Sequence, residues 1–254
     1  MSGRLDGTVA LVTGASSGIG EAAALQLADQ GASVAVVARR RDRLDDLVRR
    51  IGDAGGSAHA FDADITDPAQ ATATVARVVE VLGRLDTVVN NAGVMLLGPA
   101  LDAPVQEWQR MVDVNVTGLL HVTHAALPHL VAAAAGDPRG VADLVNISSV
   151  AGRRANAGSA VYNLTKFGVT ALSEALRQEL AAQHVRVSSV EPGAVETELR
   201  LHLREEIREA SAQRFADIEI LHSEDIADAI TWIVTRPRRV AVNEVLIRPT
   251  EQQG

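Results

Sequence analysis

A glycine-rich turn near the start of the chain limits its fold more than any other stretch. Thr8 to Val12 is a short apolar run typical of a buried strand, and an alanine-rich helical stretch extends to about Gln30. Between them lies the turn Thr13-Gly14-Ala15-Ser16-Ser17-Gly18-Ile19-Gly20. This order lets the backbone and the helix N-terminus approach a pyrophosphate, which an ordinary strand-to-helix connection does not require. The turn therefore predicts dinucleotide binding.

Strand-like and helix-like segments alternate along the rest of the chain. Further apolar strands are expected at 33–38, 57–61, 85–89, 141–147, 185–190 and 240–247. Helices are expected at 42–51, 68–82, 104–135, 160–182 and up to 235, the last with Ser223 as its N-cap. Pro128 should kink or break the long helix. The alternation predicts a parallel sheet covered on both faces, in one doubly wound, seven-stranded α/β domain of the Rossmann type spanning residues 1–254.

The second predicted strand ends in Arg39-Arg40-Arg41. In a dinucleotide fold, an acid just past this strand binds the ribose 2′-hydroxyl of NAD, whereas an arginine accommodates the 2′-phosphate of NADP. No acid stands here, and arginine suits phosphate. Arg39 and Arg40 thus predict NADP+ or NADPH, with a solvated basic helix start as the alternative.

The composition argues against several classes of protein. Hydrophobic residues make up 47% and aromatic residues only 2%, so the core must be aliphatic. A net charge of −8 argues against a general nucleic-acid surface. The absence of cysteine excludes disulfides and thiolate metal sites. We expect a cytoplasmic protein without a membrane partner, because neither a signal-peptide pattern nor an apolar run of membrane-spanning length is evident.

Tyr162 and Lys166 are the only tyrosine and the only lysine of the chain. Their spacing places both on one face of a helix, one turn apart. Lysine is a compact point charge, unlike the planar arginine used everywhere else, so the pair suggests catalysis. The alternative is a half-buried tyrosine with a solvated neighbour. Asn90-Asn91-Ala92-Gly93 and Ser148-Ser149 end the fourth and fifth strands, at the edge where such sheets bind ligands.

Two features of the long helix need interpretation. Asn115 is polar among apolar neighbours and therefore needs a partner. His121 and His124 lie one turn apart, but no carboxylate or third histidine obviously completes a metal site. We therefore expect no metal centre.

In combination, these motifs resemble the short-chain dehydrogenase/reductase family over essentially the whole chain. The resemblance rests on the ordered set Thr13–Gly20, Asn90–Gly93, Asn115, Ser149 and Tyr162–Lys166. Ser149 stands thirteen residues before Tyr162 and is followed by Val150-Ala151-Gly152, which matches the family's catalytic serine. Met95-Leu96-Leu97-Gly98-Pro99, Glu191-Pro192-Gly193, Thr197-Glu198-Leu199-Arg200 and Ile247-Arg248-Pro249-Thr250 are similar to a subgroup with clavulanic acid dehydrogenase and 3-hydroxy-acid and serine dehydrogenases. The chain end departs from the family's usual glycine-rich ending.

The resemblance implies hydride transfer between NADPH and a carbonyl carbon of a small molecule. Tyr162 would donate the proton, or accept it in the reverse direction, and Lys166 would lower the pKa of that phenol and hold the nicotinamide ribose. Ser149 would hydrogen-bond the substrate oxygen, and Asn115 would bind a water of a proton relay. The further cofactor contacts that the family implies are Gly14, Ser16, Ser17, Gly18, Ile19, Gly20, Asp64, Ile65, Asn91, Ala92, Gly93, Pro192, Gly193, Val195 and Thr197.

Residues 195–222 match the family's variable substrate lid. Apolar residues recur there at helical spacing, namely Leu199, Leu203, Ile207 and Ala210. The expected substrate contacts are Met95, Leu96, Ser149, Arg153, Asn156 and Tyr162. The family further implies a dimer or tetramer built through the helices at 104–135 and 160–182. Three functions stay open: an aldehyde or ketone reductase, a hydroxy-acid or alcohol dehydrogenase working oxidatively, and a non-catalytic NADP(H) sensor.

Overall fold

The computed structural model describes residues 3–136, 138–215 and 217–253. Within these residues, seven strands form one parallel sheet in the order β3-β2-β1-β4-β5-β6-β7. The predicted single α/β domain with a doubly wound parallel sheet is therefore confirmed. β7 is shorter than predicted and begins at Glu244. The strands are β1 Val9–Thr13, β2 Ser33–Ala38, β3 Ser57–Asp62, β4 Thr87–Asn90, β5 Ala142–Ile147, β6 Val185–Pro192 and β7 Glu244–Ile247.

Helices connect the strands. α3 begins as the sequence predicts, because Pro68 occupies its first turn and the Asp67 carboxylate accepts from the Ala69 and Gln70 N–H groups at 2.8 and 3.1 Å. α8 differs by one residue, since Ser223 is its first residue and His222 is the N-cap. The helices are α1 Gly18–Asp29, α2 Arg41–Asp53, α3 Pro68–Leu82, α4 Val105–Val112, α5 Leu119–Ala134, α6 Ala160–Leu180, α7 Glu205–Arg214 and α8 Ser223–Val234.

The predicted helix at 104–135 is irregular, but not where the sequence suggests. α5 continues through Pro128 without a break. Its neighbours Ala126 and Leu130 are buried, and such packing can hold a helix together where one hydrogen bond is lost. The irregularity lies at Asp113–Gly118, where the hydrogen bonding becomes π-helical. Segments of this kind often mark functional sites, and this one contains Asn115.

An aliphatic core covers both faces of the sheet. Leu27 of α1, Leu44 of α2 and Ile230 of α8 are buried in one cluster, whereas Val78 of α3 and Leu130 of α5 are buried in the other. Each such side chain stabilises the fold by about 1.5–3 kcal/mol. The predicted aromatic-poor core is confirmed.

The helical stretch Val105–Ala134 corrects the expectation that no apolar run is long enough to span a membrane. It has 30 residues and contains an 18-residue window with a mean hydropathy of 1.2, so it is long and apolar enough to span a membrane by these two measures alone. Val122, Ala126 and Leu130 of this stretch nevertheless lie in the core against the sheet. Core helices meet the same two measures, so the finding is accounted for by packing inside the domain.

Candidate active site

A cavity of about 700 Å³ lies at the carboxyl ends of the central strands. β1 pairs with β2 on one side and with β4 on the other, so successive connections leave the sheet in opposite directions at this point. Doubly wound sheets bind ligands at such a switch point. Residues that follow β1, β4, β5 and β6 line the cavity, among them Gly14, Asn91, Ser149 and Gly193.

The glycine turn is held in shape by contacts that leave no room for side chains. Gly14 has a φ of 65°, in the left-handed region that favours glycine. A Cβ at Gly20 would lie 2.4 Å from Asn91 Nδ2 and 2.5 Å from the carbonyl oxygen of Gly14. Asn91 Nδ2 itself donates to the carbonyls of Thr13 and Gly14 at 3.0 and 3.3 Å. Gly20 therefore packs α1 and Asn91 against the turn and does not line the cavity.

Thr13 is a structural residue of the turn that the sequence does not reveal. Its hydroxyl accepts hydrogen bonds from the N–H groups of Asn91 and Ala92 at 3.0 and 3.1 Å. The end of β4 is thereby fixed to the end of β1. A threonine in an apolar strand carries no special signal, so only the paired strands show this role.

Arg40 faces the glycine turn. Its Nη2 atom lies 3.0 Å from both the Ser16 and the Ser17 hydroxyl oxygens, to which it donates. Ser17 is the N-cap of α1 but makes no capping hydrogen bond there. The first N–H groups of α1 thus keep their capacity for an anion. Arg39 lines the same cavity with an exposed side chain.

These features fit a phosphorylated dinucleotide. A turn too tight for Cβ atoms lets backbone approach a pyrophosphate, and a guanidinium beside two hydroxyls suits a further phosphate. The remaining cavity-lining residues among the predicted cofactor contacts are Gly18, Ile19, Asp64, Ile65, Ala92, Gly93, Pro192, Val195 and Thr197.

Ser149, Tyr162 and Lys166 meet in this cavity. All three are at least nine-tenths buried. Lys166 Nζ donates to the carbonyl of Ile147 at 2.7 Å and lies 5.8 Å from the centre of the Tyr162 ring. Ser149 begins a short turn, where its Oγ accepts from the Ala151 N–H at 3.1 Å. The helix α6 and the end of β5 therefore bring a phenol, an ammonium and a hydroxyl to one site.

The protonation of this site differs from the expectation. Burial raises the pKa of Tyr162 to about 12, and a hydrogen bond with Ser149 offsets only part of this effect. Burial also lowers the pKa of Lys166 to about 8. The predicted lowering of the phenol pKa by Lys166 is not found, because burial is the largest cause of the shift and the hydrogen bond with Ser149 is the only cause that lowers this pKa. At neutral pH, Tyr162 is a protonated phenol, which is the form that can donate.

Asn115 is buried and its side chain is engaged by protein groups. Oδ1 accepts from the Val94 N–H at 2.8 Å, and Nδ2 donates to the Val94 carbonyl at 2.9 Å and to Thr165 Oγ1 at 3.2 Å. The need for a partner that the sequence predicts is thereby met. The side chain joins the π-helical segment to the chain after β4 and to α6. A role in a proton relay stays a prediction.

Comparison with known proteins agrees with this geometry. The family model for the short chain dehydrogenases matches residues 8–208. The chain belongs to this family. An uncharacterized oxidoreductase of Staphylococcus epidermidis is 37% identical over 241 residues, which cover 95% of this chain and 96% of the relative.

Solved structures of the family superimpose closely on this short-chain dehydrogenase. The closed form of a serine dehydrogenase complexed with NADP+ has a TM-score of 0.88 and 32% identity, and the match covers 97% of each chain. A short chain dehydrogenase from Burkholderia cenocepacia in complex with NADP has a TM-score of 0.83 and 30% identity, with 96% of this chain and 97% of the other covered. The fold is therefore that of this family.

The cavity is lined by only part of the predicted set of substrate contacts. Met95 and Asn156 line it, but Leu96 does not. Leu96 packs beside Met111 in a small buried cluster, and Leu97 lines the cavity instead. Arg153 is also absent from the lining, because its guanidinium pairs with the buried carboxylate of Glu191 at 2.6 Å.

The predicted lid lies over the cavity. Its two ends are tied together, since the Leu221 N–H donates to Ala194 at 3.0 Å and the Glu196 N–H donates to Leu221 at 2.8 Å. The stretch with apolar residues at helical spacing forms a short 3-10 helix at Glu198–His202 followed by α7. Leu203 is buried between the two and does not line the cavity, unlike four apolar lid residues: Leu199, Ile207, Ala210 and Phe215.

Two further residues at the cavity were not predicted. Gln252, in the tail after β7, accepts from the Ala194 N–H at 2.9 Å and lines the cavity. Glu198 of the lid pairs with Arg40, and this contact holds the pKa of Glu198 below its ordinary value. Gln252 belongs to no motif. Glu198 lies within the Thr197–Arg200 stretch, but that stretch does not show that its carboxylate pairs with Arg40.

The histidines of α5 do not form a metal site. His121 Nδ1 lies 3.1 Å from the carbonyl oxygen of Ile65, a contact within the fold. In residues 3–136, 138–215 and 217–253, no group of three or more histidine, aspartate or glutamate side chains could hold a metal ion.

Proposed function

We propose that this short-chain dehydrogenase is an NADP(H)-dependent enzyme that reduces an aldehyde or a ketone to an alcohol. The observation that carries the proposal is the meeting of Ser149, Tyr162 and Lys166 in the cavity that also holds the glycine turn and Arg40. A protein that only senses NADP(H) needs the turn and the arginine but has no use for a buried phenol beside an ammonium.

The cofactor would be held by the glycine turn, by the N-terminus of α1 and by Arg40 with Ser16 and Ser17. When bound, it supplies the hydride that reduces the carbonyl carbon. NADP+ in two of the most similar solved structures supports the choice of the phosphorylated form. The absence of an acid after β2 supports it independently.

Tyr162 would protonate the developing alkoxide, which balances the transferred hydride and yields a neutral alcohol. Its raised pKa keeps the phenol protonated at neutral pH, so the site is prepared for reduction. Ser149 would stabilise the same oxygen by a hydrogen bond. Lys166, mostly protonated at neutral pH, would attract the phenolate left after proton transfer, and Asn115 would help solvent return the proton.

A second function is favoured by one observation. The similarity to a serine dehydrogenase, together with the sequence features of the clavulanic acid and 3-hydroxy-acid dehydrogenase subgroup, points to oxidation of a hydroxy acid. Oxidation requires the phenolate form of Tyr162 as a base. With a phenol pKa of about 12, oxidation should be slow at neutral pH and rise steadily as the pH increases.

One screen tests both functions. Aldehydes and ketones are supplied with NADPH or NADH, hydroxy acids and secondary alcohols with NADP+ or NAD+, and nicotinamide absorbance is followed. We expect reduction with NADPH at neutral pH. Tyr162→Phe should lower kcat by roughly 10²- to 10⁴-fold or more while NADPH binding persists. Full activity of this variant, or equal use of NADH and NADPH by the wild type, would contradict the proposal.

A further inference from the structure

The carboxylate of Glu198, in the lid, pairs with the guanidinium of Arg40. The Arg40 Nη1 atom lies 2.9 Å from Glu198 Oε2, and Arg43 Nη1 lies 3.7 Å from the other carboxylate oxygen. The Ser17 hydroxyl also hydrogen-bonds this carboxylate. The same arginine and serine are the groups that fit the 2′-phosphate of NADP. The Glu198 carboxylate of the lid thus interacts with the groups that would hold the 2′-phosphate of the cofactor.

The rest of Arg40 is already committed to the glycine turn. Its Nε and Nη2 atoms donate to Ser16 Oγ at 3.2 and 3.0 Å. These contacts fix the guanidinium, so Nη1 is the part that faces the lid. A phosphate carrying a charge of about −1.5 to −2 would seek the same donors and would repel a carboxylate close by. The two anions therefore compete for one cation.

Glu198 is also well placed to transmit this competition to the lid. It is the first residue of the 3-10 helix Glu198–His202, and α7 begins soon after, at Glu205. The preceding Thr197 packs on the turn, where a Cβ at Gly18 would lie only 3.2 Å from Thr197 Cγ2. Displacement of the carboxylate would therefore move the first turn of the lid, whereas Thr197 would stay against the turn.

We propose that Glu198 is a specificity-determining residue that competes with the 2′-phosphate for Arg40. This proposal rests on the proposed function, because it requires NADP(H) as the cofactor. Glu198 lowers the preference for the phosphorylated cofactor, since part of the binding free energy goes into displacing the carboxylate. It also makes the first turn of the lid respond to the 2′-phosphate and not to the rest of the nucleotide.

The test measures binding by calorimetry, without turnover, of 2′,5′-ADP and of 5′-AMP, which lacks the 2′-phosphate. Glu198→Gln should bind 2′,5′-ADP roughly two- to fivefold more tightly than the wild type, as expected for loss of an exposed ion pair. Its affinity for 5′-AMP should be unchanged. Glu219→Gln removes the same charge from an exposed lid position and serves as the control. Equal affinities of the Glu198→Gln and Glu219→Gln variants for 2′,5′-ADP would overturn the proposal.

Two further measurements separate competition from a general charge effect. In an Arg40→Gln background, Glu198→Gln should no longer change the affinity for 2′,5′-ADP, whereas a long-range effect would persist. Hydrogen exchange of residues 198–203 should quicken when 2′,5′-ADP binds to the wild type and should not respond to 5′-AMP. Unchanged exchange with both ligands would contradict the link to the lid. If the wild type does not distinguish 2′,5′-ADP from 5′-AMP, the proposed NADP(H) function itself fails.

Discussion

Arg153 Nε lies 2.6 Å from Glu191 Oε2 and fastens the loop before Tyr162 to the end of β6. The Glu191 side chain is fully buried, and its other oxygen accepts from Ser189 Oγ at 3.1 Å. Arg153 also pairs with Glu244 of β7. The two ion pairs of Arg153 therefore hold the segment between Ser149 and α6 in place. They fix it to β6 and β7 at the edge of the cavity.

Replacement of Arg153 by methionine should destabilise the protein, because the buried carboxylate of Glu191 loses its counter-charge. Breaking a fully buried pair costs about 3–5 kcal/mol, but Arg153 is partly exposed, so we expect about 1–3 kcal/mol of unfolding free energy. Glu191→Gln in the same chain should restore part of the loss. Arg154→Met, in the exposed neighbour, is the control for urea unfolding. A stability of Arg153→Met equal to that of the control would refute the structural role.

The free energy of unfolding should change with pH in the alkaline range because Lys166 titrates there. Its pKa is about 8 in the folded protein, against an ordinary value of 10.5. Between these pH values the unfolded chain binds a proton that the folded chain does not, so stability should rise with pH by up to about 1.4 kcal/mol per unit. Above pH 10 the trend should reverse, because the folded pKa of Tyr162 is raised to about 12.

The chain is well suited to this measurement, since it contains one lysine and one tyrosine. Lys166→Met should remove the rise above pH 8 and leave the shape of the curve below it unchanged. The methionine loses the hydrogen bond to Ile147, so its absolute stability is less informative than the slope. Parallel curves for the two proteins between pH 8 and 10 would show that burial does not lower the lysine pKa.

Arg40 and Arg39 should contribute unequally to cofactor binding, although the sequence does not distinguish them. Both side chains are exposed, but Arg40 is held by Ser16 and Ser17. A fixed guanidinium loses less side-chain entropy when phosphate binds. Arg40→Gln should weaken NADPH binding by roughly tenfold or more, as expected for a charge-assisted phosphate contact, and Arg39→Gln by less. Titration with NADPH and NADH decides between them, and an equal loss in both variants would contradict this ranking.

Exposed apolar residues on α5 and α6 predict self-association. Leu120, Leu164 and Phe167 expose between 42% and 65% of their surface. Leu164 and Phe167 lie on the same helix as Tyr162, and both are exposed whereas the phenol is buried. Leu164→Glu should shift the protein towards the monomer in light scattering after gel filtration, because a charge opposes burial in an interface. Leu246→Glu, at an exposed position of β7, is the matched control. A wild-type monomer would disprove the predicted oligomer.

The sequence predicts those parts of the fold that depend on a few neighbouring residues. Apolar runs, the glycine turn and Pro68 predict the strands and helices because each is decided by a few neighbouring residues. Gly14, Asn91 and Ser149 likewise share one cavity, as expected of residues that follow parallel strands at one edge of the sheet.

Contacts between distant residues could not be predicted in the same way. Arg153 is taken for a substrate contact because its partners, Glu191 and Glu244, lie far along the chain. Leu96 and Leu97 are chemically alike, and only the packing of Leu96 beside Met111 decides which of them lines the cavity. The raised pKa of Tyr162 follows chiefly from burial, which the sequence does not show.

Gly20→Ala and Gly52→Ala should have opposite effects on stability, although both replace a helical glycine. A methyl group at Gly20 would meet Asn91 Nδ2 at 2.4 Å and the Gly14 carbonyl oxygen at 2.5 Å, so the turn must shift. Such overpacking costs about 1–3 kcal/mol. Gly52 in α2 has nothing within 4 Å of the added methyl, and alanine there should stabilise by about 0.4–1 kcal/mol through lower unfolded-state entropy. Thermal unfolding measures both changes in stability.

Because the shift at Gly20 also loosens Asn91 from the turn, NADPH should bind more weakly to Gly20→Ala and normally to Gly52→Ala. A Gly20→Ala variant with wild-type stability and affinity would show that the turn can open without cost.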